Sequence, residues 1–156
     1  MNRTIIKLFF YLCILTALPS YAQNAVHYYF KTMDIRNGLS QNTVYQILQD
    51  RKGFMWFGTK DGLNRYDGLS YRVYKKENSG LGKNFITALY EDHEGNIWIG
   101  TDGGVFIYNP VLDSFTAFNQ TSDKGTVIKD FVTMIGSDEY DNIWISVENQ
   151  GLFCYN

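Results

Sequence analysis

Two histidines, two cysteines and a set of recurring aspartates are the side chains of this 156-residue chain that could do chemistry. A Ser-His-Asp hydrolase needs a general base, and only His27 and His93 are available; no Gly-x-Ser-x-Gly turn exists to present a nucleophile. His93 stands in Asp92-His93-Glu94-Gly95, the composition of a solvated turn. Asp50, Asp92 and Asp138 recur at one place in three similar passages. A catalytic carboxylate belongs to one unit of a repeat, whereas a carboxylate found in every unit has the work of capping a turn. The alternating oxygen ligands of a calcium loop do not follow these aspartates, and Gly103-Gly104 lacks the neighbouring residues that phosphate binding requires. Cys13 falls in an apolar leader; Cys154, between Phe153 and Tyr155, is expected to be a small packed side chain. The residues therefore point to no catalytic site, no metal and no cofactor.

The elements that hold these residues are set by repetition. Trp56, Trp98 and Trp144 recur 42 and then 46 residues apart, inside passages opened by Asp50, Asp92 and Asp138 and closed by Tyr66, Tyr108 and Tyr155. A period of this length fits either paired-helix solenoids or four-stranded propeller blades. Gly53, Gly58, Gly62 and Gly68 recur every four to six residues and leave no room for a helix. Short strands fit instead: Val44–Asp50, Phe54–Thr59, Leu63–Asp67 and Tyr71–Lys75. The same positions recur as Gly95, Gly100 and Gly104 in the second unit and as Gly151 in the third. Phe54-Met55-Trp56-Phe57 and Ile97-Trp98-Ile99 are apolar at consecutive positions, as strands covered on both faces should be.

The expected fold is all-β: an incomplete β-propeller of about three four-stranded blades over residues 44–75, 86–118 and 131–156, the third lacking its outer strand. A shift of 42 residues lays Gly38-Leu39 on Gly80-Leu81 and Tyr29 on Tyr71. Residues 28–33 are thus expected to form an outer strand of the kind that closes a ring. Propellers have four to eight blades, so three cannot close on themselves.

Residues 1–22 have the form of a signal peptide: Arg3 and Lys7, an apolar stretch over Leu8–Leu18, and Ser20-Tyr21-Ala22 before the cleavage point. The apolar stretch is too short to span a bilayer, so residues 23–156 are expected to leave the cytoplasm. Loss of Arg3 and Lys7 leaves 12 basic against 16 acidic residues, a balance that argues against nucleic acid as partner. Aromatic residues make up 17% of the chain, but the repeated tryptophans are expected in the core. The loops Lys76–Lys83 and Asn119–Lys129, which differ between units, are better places for ligand contact.

The unit Asp50-x-x-Gly53-Phe-x-Trp56-x-Gly58-Thr59-x-x-Gly62-Leu63-Asn-Arg-Tyr66-Asp67-Gly68, with its opening Gly38-Leu39-Ser40-Gln-Asn42-x-Val44, resembles the two-component regulator propeller repeat. The second unit matches as well. The third departs, with Asp141 in place of the turn glycine, Ser146-Val147 in place of Gly-Thr, and one extra residue before Gly151. The resemblance implies the N-terminal portion of a periplasmic sensor region in a hybrid two-component histidine kinase, a class that detects oligosaccharides. It implies an oligosaccharide ligand, the remaining propeller blades or another copy of the chain as partner, and membrane attachment only through a parent region outside this sequence. Two other readings are a secreted propeller lyase or hydrolase fragment, and a self-assembling module or non-functional truncation.

Overall fold

The computed structural model describes Arg3, residues 28–120 and residues 125–156. The signal peptide expected over 1–22 (Arg3 apart), His27 and the middle of the Asn119–Lys129 loop lie outside the described residues. The chain divides into two units, Met1–Lys31 and Thr32–Asn156.

The second unit consists of three antiparallel sheets in chain order. The first holds β1 (Val44–Gln49), β2 (Met55–Thr59), β3 (Gly62–Tyr66) and β4 (Tyr71–Tyr74). The second holds β5 (Ile86–Glu91), β6 (Ile97–Thr101), β7 (Gly104–Asn109) and β8 (Ser114–Ala117). The third has three strands only, β9 (Val132–Ser137), β10 (Ile143–Val147) and β11 (Gly151–Tyr155). In each sheet every strand pairs with its neighbour in sequence. The inner strands β1, β5 and β9 lie side by side, which makes the three sheets the blades of an incomplete propeller.

Two seams hold the blades together. Trp56, Leu63 and Tyr74 of the first blade pack on Ile86, Ile97, Ile99 and Tyr108 of the second. Trp98, Val105 and Phe118 of the second pack on Val132, Ile135, Ile143 and Ile145 of the third. The middle blade is covered on both sides, so β6 is buried along its whole length. The outer blades each keep one bare face. Ile47 is exposed on the first, and Met134 and Leu152 on the third.

Two sequence expectations are corrected here. Residues 28–33 form no strand: Tyr28, Tyr29 and Phe30 are almost fully exposed, and the first regular element is a 3-10 turn at Ile35–Asn37 capped by Asp34. A strand is held by its ladder, and a lone segment without one stays irregular. Trp144 and Cys154 are not core residues. Trp98 is 3% exposed but Trp144 is 39%, and Cys154 is exposed too, because both point from the face that no following blade covers.

Candidate functional site

The repeated aspartates hold turns. In the first blade the Asp50 carboxylate accepts backbone N–H bonds from Lys52 (3.0 Å) and Phe54 (2.9 Å), and the Trp56 indole N–H bond at 2.8 Å. Asp92 accepts from Asn96 N–H (2.8 Å) and Trp98 Nε1 (2.8 Å). Asp138 accepts from Tyr140, Asn142 and the Trp144 indole in the same way. Each turn also needs one residue at positive φ: Gly53 at 90°, Gly95 at 87°, and in the third blade Asp141 at 64°. Aspartate is among the few side chains that tolerate this region, so the departure in the third unit keeps the turn. Thr59 and Thr101 each donate a side-chain bond to the carbonyl of the glycine three residues on, Gly62 and Gly104, and Val147 of the third blade cannot.

One consequence is testable by pH. The Asn142 amide and the Trp144 indole, with two backbone N–H groups, hold the Asp138 carboxyl at about 2, below its ordinary 3.8. A depressed carboxylate pKa stabilises the fold above the unfolded value and loses that contribution as pH falls through the folded one. The third turn is therefore expected to loosen between about pH 4 and pH 2, and Asp138→Asn should remove that step. NMR of the Trp144 indole and Asn142 side-chain amide protons checks it, a shift unaltered by Asp138→Asn being the contrary result.

Charged side chains tie the first seam. Arg51 forms an ion pair with Glu91 at 2.9 Å and donates to the Asp92 and His93 carbonyls of the next blade. Further out, the Arg65 guanidinium lies 4.8 Å from the Phe54 ring centre and donates to the Tyr108 hydroxyl at 2.9 Å. That hydroxyl donates to Asp113 (2.7 Å), which also pairs with Arg72 (2.7 Å). Burial and the bond to Asp113 push the Tyr108 phenol far above its usual value, while the same bond lowers Asp113. All members satisfy one another, so this network is a latch rather than an open site. At the second seam His93 replaces Arg51, 3.9 Å from Asp141, and Ile107 replaces Arg65. His93 is thus an exposed turn residue beside a carboxylate, with no nucleophile against it.

The surface best formed for a ligand lies where the inner strands begin. Each opens on a bulge, at Tyr45, Thr87 and Thr133, where the ladder register slips. A bulge re-aims its side chain, and Tyr45 reaches Phe85 of the next blade with ring centres 4.8 Å apart. Phe85 in turn meets Phe131 of the third blade edge-on at 5.5 Å, with the Lys60 ammonium 5.8 Å from the Phe85 ring centre. This row crosses all three blades. It stands where the expected loops Lys76–Lys83 and Asn119–Lys129 run into β5 and β9. The repeat alignment hides its first contact, because Tyr45 matches Thr87 rather than the Phe85 it touches.

A cavity of about 420 Å³ opens at the outer rim of the second seam, lined by Trp98, Thr116, Phe118, Ile143 and Tyr155 among others. Among the described residues no group of three or more His, Cys, Asp or Glu could hold a metal ion, and no helix is long and apolar enough to cross a membrane.

Comparison with known proteins places these features. The two component regulator propeller family model matches residues 38–61 and 80–103. A histidine kinase of Formosa agariphila, Histidine kinase P4, is 42% identical over 59 residues, 38% of this chain and 4% of its own length. The extracellular domain of BT4673 from B. thetaiotaomicron, described as a one component system, superposes with a TM-score of 0.68 and 30% identity, over 78% of this chain and 18% of that one. The extracellular domain of BT3049 from the same organism, described as a hybrid two component system, gives 0.68 at 24% identity, over 81% of this chain and 17% of that one. The chain thus spans less than a fifth of each of these two solved structures.

Proposed function

We propose that this chain, which carries two-component regulator propeller repeats, forms the opening blades of a ligand-sensing propeller in a hybrid two-component signalling system. The observation that carries this reading is the likeness to the extracellular domain of BT4673, at 30% identity over 78% of this chain. The proposed ligand is an oligosaccharide, and the proposed place is the periplasm, reached through the signal peptide over residues 1–22. The chain itself supplies no catalytic module. Its part in the parent is to hold the ligand, whose preference for one of two sensor arrangements shifts their populations.

The row Tyr45–Phe85–Phe131 suits this role, since the faces and edges of aromatic rings offer apolar contact to the C–H faces of sugar rings while Lys60 offers hydrogen-bond donors. Isothermal titration of the full chain with a panel of plant and algal hexasaccharides tests it. At least one is expected to bind, and Tyr45→Ala should weaken that binding about tenfold, or about 1.4 kcal/mol. Tyr45 is half exposed, so its loss spares the fold. Absence of binding across the panel, or ATP-dependent autophosphorylation of the purified chain, would count against the reading.

A further inference from the structure

We propose that the row Tyr45–Phe85–Phe131 takes a singly acidic oligosaccharide, with its one carboxylate at the end held by Lys60 and Lys83. The proposal rests on the oligosaccharide reading above and narrows it to a ligand class.

The argument starts from the cations that the fold leaves without a counter-charge. Arg51, Arg65, Arg72, Lys75 and Lys76 each form an ion pair with a carboxylate. Among the described residues Lys60 and Lys83 form none, and both are exposed. Both also flank Phe85. The Lys60 ammonium lies 5.8 Å from its ring centre, and Lys83 precedes it by two residues. An aromatic face attracts a cation without neutralising it, so the charge remains available to an anion. Asp61, next to Lys60 in sequence, is already bonded to Lys75 at 2.6 Å.

The backbone holds the two lysines in one piece. Lys60 N–H donates to the Gln41 side chain at 3.2 Å, and Gly62 N–H of the same turn donates to the Asn84 carbonyl at 2.8 Å. Asn84 stands between Lys83 and Phe85, so the turn carrying one lysine is tied to the link carrying the other. Gly103 has a part here as well. Gly104 supplies the positive φ of its turn, at 120°, and the turn does not need a second glycine for that purpose. A Cβ on Gly103 would collide with Lys83 Cε, so the bare position makes room for the lysine stem.

The other end of the row has the opposite sign. Phe131 follows Asp130, and its carbonyl accepts the Glu148 N–H at 2.8 Å. By the repeat, Asp102 holds toward Phe131 the place that Lys60 holds toward Phe85. These three carboxylates face Lys129 alone as a neighbouring cation in sequence, and among the described residues none of them forms an ion pair. Carboxylates accept bonds from sugar hydroxyls and repel a second anionic group. The row therefore suits a chain of neutral sugars ending in one uronic acid, and disfavours a polyanion.

Isothermal titration of the full chain with hexasaccharides ending in one uronic acid, each beside its carboxyl-reduced counterpart, tests the class. The acidic form should bind about fivefold tighter, as one exposed charge pair allows, and the preference should shrink at high salt. Lys60→Met combined with Lys83→Met should make the two forms bind alike. Hexagalacturonate should bind more weakly than the singly acidic ligand and gain affinity with Asp130→Asn and Glu148→Gln. Neutral forms that bind the parent chain as tightly as the acidic ones overturn the acidic class and leave the oligosaccharide reading standing. A preference that survives the loss of both lysines overturns their role. Hexagalacturonate as the tighter ligand overturns the single charge. Failure of every pair in both forms is failure of the oligosaccharide reading itself, and this proposal falls with it.

Discussion

Trp98→Ala is expected to lower the unfolding free energy by about 3–5 kcal/mol, the range for a large aromatic lost from a packed core. Trp98 is the pivot of the second seam. It is 3% exposed, its ring lies 5.1 Å from Phe118 and 5.8 Å from Tyr155, and its indole N–H is bonded to Asp92. Alanine would enlarge the rim cavity and leave a buried carboxylate short of a donor, which carries its own penalty. The repeat offers an internal control. Trp144 has the same sequence surroundings and the same bond to its aspartate, yet is 39% exposed. Trp144→Ala should cost about 1 kcal/mol, typical of a partly exposed site. Urea denaturation followed by circular dichroism compares the two. Equal losses would mean that the third blade is covered.

The second large effect belongs to an atom that is missing by design of the sequence. Gly100 sits in β6 where the second blade meets the inner strand of the third. A Cβ there would lie 2.7 Å from Val132 Cγ1 and 2.9 Å from Ala88 Cβ. Both neighbours are buried and belong to inner strands, so neither can swing away. Gly58 has the same relation to Ile86 at the first seam, 2.7 Å from its Cγ2. Gly100→Ala is therefore expected to cost about 1–3 kcal/mol through overpacking, and Gly100→Val more. Gly136, in β9, has nothing within 4 Å of its would-be Cβ, and Gly136→Ala should be near neutral. The pair separates seam crowding from any general cost of removing glycine from a strand. A Gly100→Ala protein with an unchanged urea midpoint would mean that the blades part more easily than this packing implies.

Most of the architecture was legible because each element is short, local and written more than once. The turns were read from Asp50-x-x-Gly53 and its copies, and the strand bounds fall within a residue or so of those expected. What the residue string could not display was which copies would be covered. Trp56, Trp98 and Trp144 look alike in sequence, and burial separates them only through the blade that stands beside each. Cys154 and the segment 28–33 were misjudged for the same reason, since packing and pairing depend on a neighbouring sheet. The contact of Tyr45 with Phe85 is invisible to an alignment of units, which compares equivalent positions, because it joins non-equivalent ones across a bulge. His93 at the place of Arg51 was visible as a substitution, but its closeness to Asp141 was not.

The strand order carries a consequence for how such a chain comes into being. Every ladder joins sequence neighbours, so the hydrogen bonds of the first sheet are contained within Val44–Tyr74 and await nothing downstream. Chains dominated by local contacts pay little loop-closure entropy before native pairing rewards them. A polypeptide emerging from its N-terminal end can complete one sheet, offer its face as a template, and receive the next sheet as it appears. Biogenesis then runs in the direction of synthesis, each finished layer shielding apolar side chains of the one before.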